Sequence, residues 1–155
     1  MKLYSKYPPA DRGTVIVWGL LSHMPFGGMF WQVLHYVVGL RRLGFDVWYV
    51  EDSDRTILDP KDWMPTKDFT QYSKPISFMM ESVGLQGRWV IRKPQHADDC
   101  LGAVDFNGLM NLYEKADAVF NLCGAQEYLS YHGSIKNLVY LESDPGMPQV
   151  AIAKG

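Results

Sequence analysis

Cysteine is scarce in this chain: Cys100 and Cys123 are the only two in 155 residues. Two thiols without a CxxC spacing exclude a disulfide framework and read as reduced cysteines, which suits a cytoplasmic protein. Charge of one sign is lacking too. A formal net charge of -2 gives no general attraction to nucleic acid or to an anionic membrane, so neither is expected as a partner. Long apolar runs are missing, and the segment from Val15 to Leu21 falls well short of the roughly 20 residues a membrane span requires. Lys2 and Lys6 imitate the basic start of a signal peptide, but Asp11 intervenes and Ser22-His-Met-Pro25 offers no small-residue cleavage site. His96 and His132 have no metal-ligand spacing to each other or to Cys100. No metal and no cofactor is therefore expected. The dinucleotide fingerprint GxGxxG is absent as well: Gly19, Gly27 and Gly28 stand at the wrong spacings, with bulky Met24-Pro25-Phe26 between them. That argues against a tightly cradled NAD.

What the chain does have is aromatic bulk, 14% of its residues, with five Trp and nine Tyr. Residues of this kind fill cores and also favour interfaces and sugar-stacking surfaces. The organising stretch is Thr14 to Asp52. Thr14-Val-Ile-Val-Trp-Gly-Leu-Leu21 is β-branched and aromatic, as a strand buried on both faces should be. Pro25 and the Gly27-Gly28 pair break it. From Met29 to Leu43 the apolar residues Phe30, Val33, Leu34, Val37 and Leu40 fall at helical spacing, and Gly44 stops the helix. Phe45-Asp-Val-Trp-Tyr-Val50 reads as a second buried strand ending in Glu51-Asp52-Ser53-Asp54. Strand, helix and strand in this order predict a right-handed parallel βαβ unit.

The rest of the chain continues the alternation. Residues 1–13, with Pro8-Pro9, are expected to form an extended arm. Ser53 to Lys74 is a long excursion in which Trp63, Met64, Phe69 and Tyr72 suggest partial packing. Pro75 to Gly84 reads as a helix with Pro at its first position, and Arg88 to Arg92 as a third strand. Pro94 to Cys100 reads as a polar connection. Asp105 caps a helix reaching Lys115, Asp117 to Cys123 is a strand turned by Gly124, and one or two helical turns fall between Gln126 and Tyr131. Lys136 to Glu142 is a further strand, and a last helix starts near Met147. The fold expected is α/β: a doubly wound, mostly parallel, Rossmann-like sheet of about five strands in three layers. Residues 1–155 form one domain and are expected to be one half of a two-domain protein.

In such a sheet ligands bind at the carboxyl ends of the strands. His23 is placed there, where an imidazole can act as general base on a hydroxyl; its competing role is a loop histidine bonded to backbone. Gly27 and Gly28 open a helix whose free N–H groups favour an anion, or else they let strand and helix pack closely. Asp52, with Glu51 and Asp54, stands where a ribose hydroxyl or other polar ligand is often held, and capping is the competing role. Gln32 shares a polar stripe with His35 and Arg42. Gly124, and Asp144 before Pro145, sit at later strand ends on the same edge.

The stretch Pro25-Phe-Gly-Gly-Met-Phe-Trp-Gln-Val-Leu-His-Tyr-Val-Val-Gly-Leu-Arg-Arg-Leu-Gly-Phe-Asp-Val-Trp-Tyr-Val-Glu-Asp52 resembles the amino-terminal domain of GT-B-type glycosyltransferases, in particular bacterial glycosyltransferase-like proteins. Asp117-Ala-Val-Phe-Asn-Leu-Cys-Gly124 and Leu138-Val-Tyr-Leu-Glu-Ser-Asp-Pro-Gly146 are similar to its late strands, and the likeness covers most of Gly13 to Gln149. The resemblance implies two Rossmann-like domains facing a cleft. The amino-terminal one binds a small-molecule or glycoside acceptor, and the carboxy-terminal one binds a nucleotide-sugar donor. It also implies a base near the first turn, matched here by His23. Pro25, Phe26, Gly27, Gly28, Gln32, Asp52, Gly124 and Asp144 would then line the acceptor side. The leading expectation is the acceptor-binding half of such an enzyme, inactive until completed by a missing carboxy-terminal domain or by a second copy of the chain. The alternatives are a stand-alone Rossmann-like module that binds a nucleotide or anion without catalysis, and a structural subunit docking through its aromatic surface.

Overall fold

The structure is a computed structural model that describes all residues except 1–6, 25, 58, 60, 63, 67, 69, 95–98, 144, 145 and 155. Pro25, Trp63, Phe69, His96 and Asp144, each singled out above, thus lie outside the described residues. The elements follow the order β1 (Thr14–Trp18), α1 (Gly27–Arg42), β2 (Asp46–Glu51), α2 (Thr70–Ser82), β3 (Trp89–Arg92), β4 (Cys100–Gly102), α3 (Phe106–Lys115), β5 (Ala118–Leu122), a 3-10 turn (Ser130–Ser134), β6 (Leu138–Leu141) and α4 (Met147–Lys154). They build one sheet in the order β4-β3-β2-β1-β5-β6. Every pairing is parallel except β3 with β4. The five parallel strands follow the Rossmann order, with the reversal of direction between β1 and β5.

The pleat of β1 and β2 divides the core into two halves. Val17, Val47, Tyr49 and Ile91 face α1 and α2, where they meet Val33, Val37, Ile76, Met79 and Met80. Ile16, Trp18, Trp48, Val50 and Val90 face α3, where they meet Leu109, Leu112 and Tyr113. Both faces are covered, so the strands show no polar alternation. The fold is α/β with three layers, as the sequence pattern predicts.

Five local expectations change. The sheet has six strands rather than about five, because Cys100–Gly102 pairs antiparallel with β3 at the edge. A strand of 3 residues is too short to show periodicity, so the segment reads as a connection in sequence. Helix α2 begins at Thr70 and carries Pro75 inside it. The proline costs one N–H, while Ile76, Met79, Met80 and Val83 hold the apolar face down on the sheet. Helix α1 starts at Gly27, two positions before Met29. The helical turn expected between Gln126 and Tyr131 lies later, at Ser130–Ser134, because Gln126 is held down by side-chain bonds described below. In the excursion after β2 it is Ile57 that is buried, whereas Met64 is exposed.

Gly19 has a specific reason to be glycine. A Cβ there would stand 2.5 Å from Tyr49 Cε2 and 2.6 Å from its hydroxyl. That close approach brings the Tyr49 hydroxyl under the end of β1, where it accepts from Leu21 N at 3.2 Å.

Candidate functional site

The carboxyl edge of the sheet holds two buried polar clusters, one on each face, seeded by consecutive residues of β2 and the loop after it. The side chain of Asp52 goes to the α3 face. It is fully buried, and four donors reach its two oxygens. Arg92 Nε, from the end of β3, and the Tyr131 hydroxyl, at 2.7 Å, reach Oδ1. The Tyr113 hydroxyl and His132 Nε2, each at 2.9 Å, reach Oδ2. A carboxylate has about four acceptor positions, so Asp52 is saturated. His132 Nδ1 accepts from Leu129 N at 3.0 Å, which fixes the ring's proton on Nε2. The ring is caged by Trp18 and Tyr131, with centroids at 4.8 and 4.7 Å. Burial would raise the Asp52 pKa, but the bonds from His132, Arg92 and Tyr131 outweigh it and hold the carboxyl below its ordinary range.

Gln126 closes the switch point between β1 and β5. Its Nε2 donates to the Gly19 carbonyl, its Oε1 accepts from Asp52 N at 3.0 Å, and its backbone is clamped by Asn121 at 2.8 and 3.1 Å. Where a doubly wound fold commonly admits a ligand, this chain inserts its own amide side chain.

Glu51 points to the opposite face, beneath the loop after β1. It is 2% exposed. Its oxygens accept from Ser22 N at 3.0 and 3.1 Å, from the Ser22 hydroxyl and from the Tyr49 hydroxyl. His23 Nδ1 lies 3.0 Å from Ser22 Oγ and 4.0 Å from Glu51. No Arg or Lys pairs with Glu51 among the described residues. Burial dominates and raises its pKa, against the lowering effect of Ser22, Tyr49 and His23. His23 Nε2 lies 3.0 Å from the Arg55 carbonyl. The guanidinium of Arg55 turns away, to Glu127 at 3.5 Å and the Gly124 carbonyl at 3.4 Å. The loop after β2 is thereby clasped to the loop after β5, and Glu127 tightens the clasp by accepting from Ser53 Oγ at 2.8 Å and Asp54 N at 2.9 Å.

Several residues picked from sequence gather around this face. Phe26 is the N-cap of α1 and is half exposed. Among the described residues no side chain caps the helix start, and its first turn holds no acid. A Cβ built on Gly27 or Gly28 meets nothing within 4 Å. Close strand–helix packing is therefore not the reason for these glycines. Gln32 reaches across from α1 to the later strand ends, donating to Ser143 Oγ at 2.6 Å and Cys123 Sγ at 3.3 Å. Cys123 and Gly124 both adopt left-handed backbone, with φ of 52° and 63°. In sequence terms that favours glycine at the second position and strains the first.

Asp52 is the departure. Its side chain lies on the other face, with every lone pair occupied, so in this arrangement it has none left for a ligand hydroxyl. His132, in the 3-10 turn, is wholly buried. Sequence reasoning missed Ser22, Tyr49, Arg92, Tyr113, Gln126 and Tyr131. One signal was available: alternation along β2 puts Tyr49 and Glu51 on one face and Asp52 on the other. The partners of Asp52 come from distant segments and leave no local pattern.

Two clefts lie away from this edge. One, about 290 Å³, runs along the outside of α1 between Trp31 and Arg42 and reaches Val83. The other, about 240 Å³, lies at the amino ends of β1 and β2 against α3. Among the described residues no helix is long and apolar enough to cross a membrane. No family model matches the chain, and no curated protein or solved structure matches it either.

Proposed function

We propose that this chain is the acceptor-binding half of a GT-B-like glycosyltransferase, which moves a sugar from a nucleotide-sugar donor to a hydroxyl acceptor. His23 is the base in this reading, and Phe26, Gly27 and Gly28 form the adjoining acceptor edge. The observation that carries it is the wiring of His23 through Ser22 to the buried Glu51, beside a helix start whose glycines have no packing task. A general base needs a ring held in one orientation with a partner for its second nitrogen, and this site has both. The motif resemblance from Pro25 to Asp52 supports the same assignment. The donor belongs to a second domain or subunit, so the 155 residues alone transfer nothing from a nucleotide sugar, since transfer requires both substrates held in one geometry.

A panel of simple alkyl glycosides, titrated against the isotopically labelled chain, tests this. Amide signals of residues 22–28 should move with at least one glycoside, and His23→Ala should abolish the response while leaving the fold intact. The uncapped start of α1 favours a second reading, a module that binds a nucleotide or anion without catalysis. If inorganic phosphate or UDP moves those signals and every glycoside is silent, the second reading replaces the first.

A further inference from the structure

Three contacts in line constrain where the protons of the His23 cluster can sit. His23 Nε2 faces the Arg55 carbonyl at 3.0 Å. A carbonyl only accepts, so Nε2 carries a hydrogen. His23 Nδ1 faces Ser22 Oγ at 3.0 Å, and Ser22 Oγ bonds in turn to Glu51. The single hydroxyl proton of Ser22 cannot serve both neighbours. If it goes to Glu51, Nδ1 supplies a proton of its own, and an imidazolium faces a carboxylate. If it goes to Nδ1, Glu51 supplies the proton, and both partners are neutral. The two forms interconvert by two hops: the Glu51 proton moves to Ser22 Oγ as the Ser22 proton moves to Nδ1. Nothing enters or leaves. With all three bonds made at once, the line holds one proton more than a carboxylate and a neutral ring would.

We infer that Glu51 is the positioning residue for His23, acting through the Ser22 hydroxyl, and that the Arg55 carbonyl caps the ring nitrogen that would take a proton from an acceptor. The catalytic meaning of this arrangement rests on the reading of His23 as the base; the proton line itself does not. While the carbonyl is in place Nε2 is a donor and cannot act as a base. Once Arg55 withdraws, Nε2 can release its proton to solvent while Nδ1–H stays on Ser22 and the Ser22 hydroxyl stays on the Glu51 carboxylate. That tautomer presents a lone pair outward. A carboxylate that merely capped Ser22 N would not need the hydroxyl-to-imidazole bond on its far side.

The surroundings suit a proton that is shared. The Tyr49 hydroxyl, from β2, donates to the other Glu51 oxygen, and the Tyr49 pKa is pushed far up, by its burial first and by Glu51 second. Tyr49 therefore remains a donor. From the loop after β1 the titratable group is His23, and from the loop after β2 it is Arg55, whose cation is spent on Glu127. Neither α1 nor α2 brings a charged side chain onto Glu51 among the described residues.

The test needs no ligand. The chain is labelled with 15N in histidine and with 13C in the glutamate carboxyl, and both are followed against pH; Glu51→Gln identifies the Glu51 signal. Linked titration is expected in the wild type, with the His23 ring nitrogens and the Glu51 carboxyl carbon changing over one shared pH interval. Ser22→Ala should lose the linkage and Ser22→Thr, which keeps the hydroxyl, should restore it. His23 curves that are the same in wild type, Ser22→Ala and Glu51→Gln would overturn the inference. Should Ser22→Ala fail to fold, unlinked steps in the wild type alone would do so. The glycoside titration reads the functional proposal separately: linkage without a glycoside response removes the base reading and keeps the line, and a response without linkage does the reverse.

Discussion

Glu51 and Asp52 are consecutive in the chain, and the pleat sends them to opposite faces of the sheet and into opposite electrostatic situations. Asp52 is met by a guanidinium, two phenols and an imidazole, and its charge is held. Glu51 is met by hydroxyls and a backbone amide, with one imidazole 4.0 Å away and no permanent cation in contact among the described residues. Burial is nearly complete in both cases, so it is the partners that differ. The Asp52 carboxyl is driven below its ordinary pKa and that of Glu51 above it. A saturated ion holds the ends of β2 and β3, helix α3 and the 3-10 turn together. A buried carboxyl poised to take a proton is suited to exchange one. The first is architecture, and the second is the environment the proposed chemistry would draw on.

The largest expected effect separates the two directly. Asp52→Ala leaves buried Arg92 with only Asp54, at 2.7 Å, as its carboxylate partner among the described residues. It also removes the acceptor for three more donors, and it should cost about 3–5 kcal/mol in urea unfolding. Glu51→Gln keeps the shape and the ability to bond Ser22, and about 1 kcal/mol is expected. Equal losses would break the comparison. Next is Gly19→Ala, whose methyl displaces the Tyr49 ring and with it a donor to Glu51. Overpacking of this kind costs about 1–3 kcal/mol by the same measurement.

The pH dependence should be opposite in sign at the two positions. The folded-state pKa of Asp52 lies below its unfolded value of about 3.9. Its contribution is thus complete above that value and lost as pH falls through the folded one. The folded-state pKa of Glu51 lies above its unfolded value of about 4.3, and here the folded chain keeps a proton the unfolded chain releases. That contribution is present at low pH and lost as pH rises through the folded value. Unfolding free energy measured against pH should therefore lose part of its acid limb in Asp52→Asn. In Glu51→Gln it should lose part of its decline above the ordinary glutamate range. The smallest effect belongs to Gly27→Ala and Gly28→Ala. Their methyl groups enter open space, so melting should show a gain of up to about 1 kcal/mol.

The layers of this fold are written in the sequence because they depend on local periodicity. Unbroken apolar runs at Val15 to Val17 and Val47 to Val50, with a helical spacing between them, leave a parallel unit covered on both faces as the only consistent reading. The edge strand Cys100–Gly102 is too short to carry such a signal. The site is legible only in part. Of the residues expected to meet at one edge, His23 and Gly124 are joined through Arg55, because topology puts strand ends together. Asp52 turns to the other face, and Asp144 lies outside the described residues. That Glu51 rather than Asp52 serves this face turns on one step of the pleat. The partners of Asp52 come from β3, α3 and the 3-10 turn, contacts that span 40 to 80 positions and leave no pattern within any one window.

The most direct measurement is one carboxyl-carbon titration of the folded chain in which Glu51 and Asp52 are followed together. Asp52 should remain ionised down to acid unfolding, while Glu51 is still protonated above about pH 4.3, the ordinary value for glutamate. A Glu51 that ionises at or below that value, or an Asp52 that takes its proton first, would contradict the division of the two carboxyls into one that builds and one that exchanges.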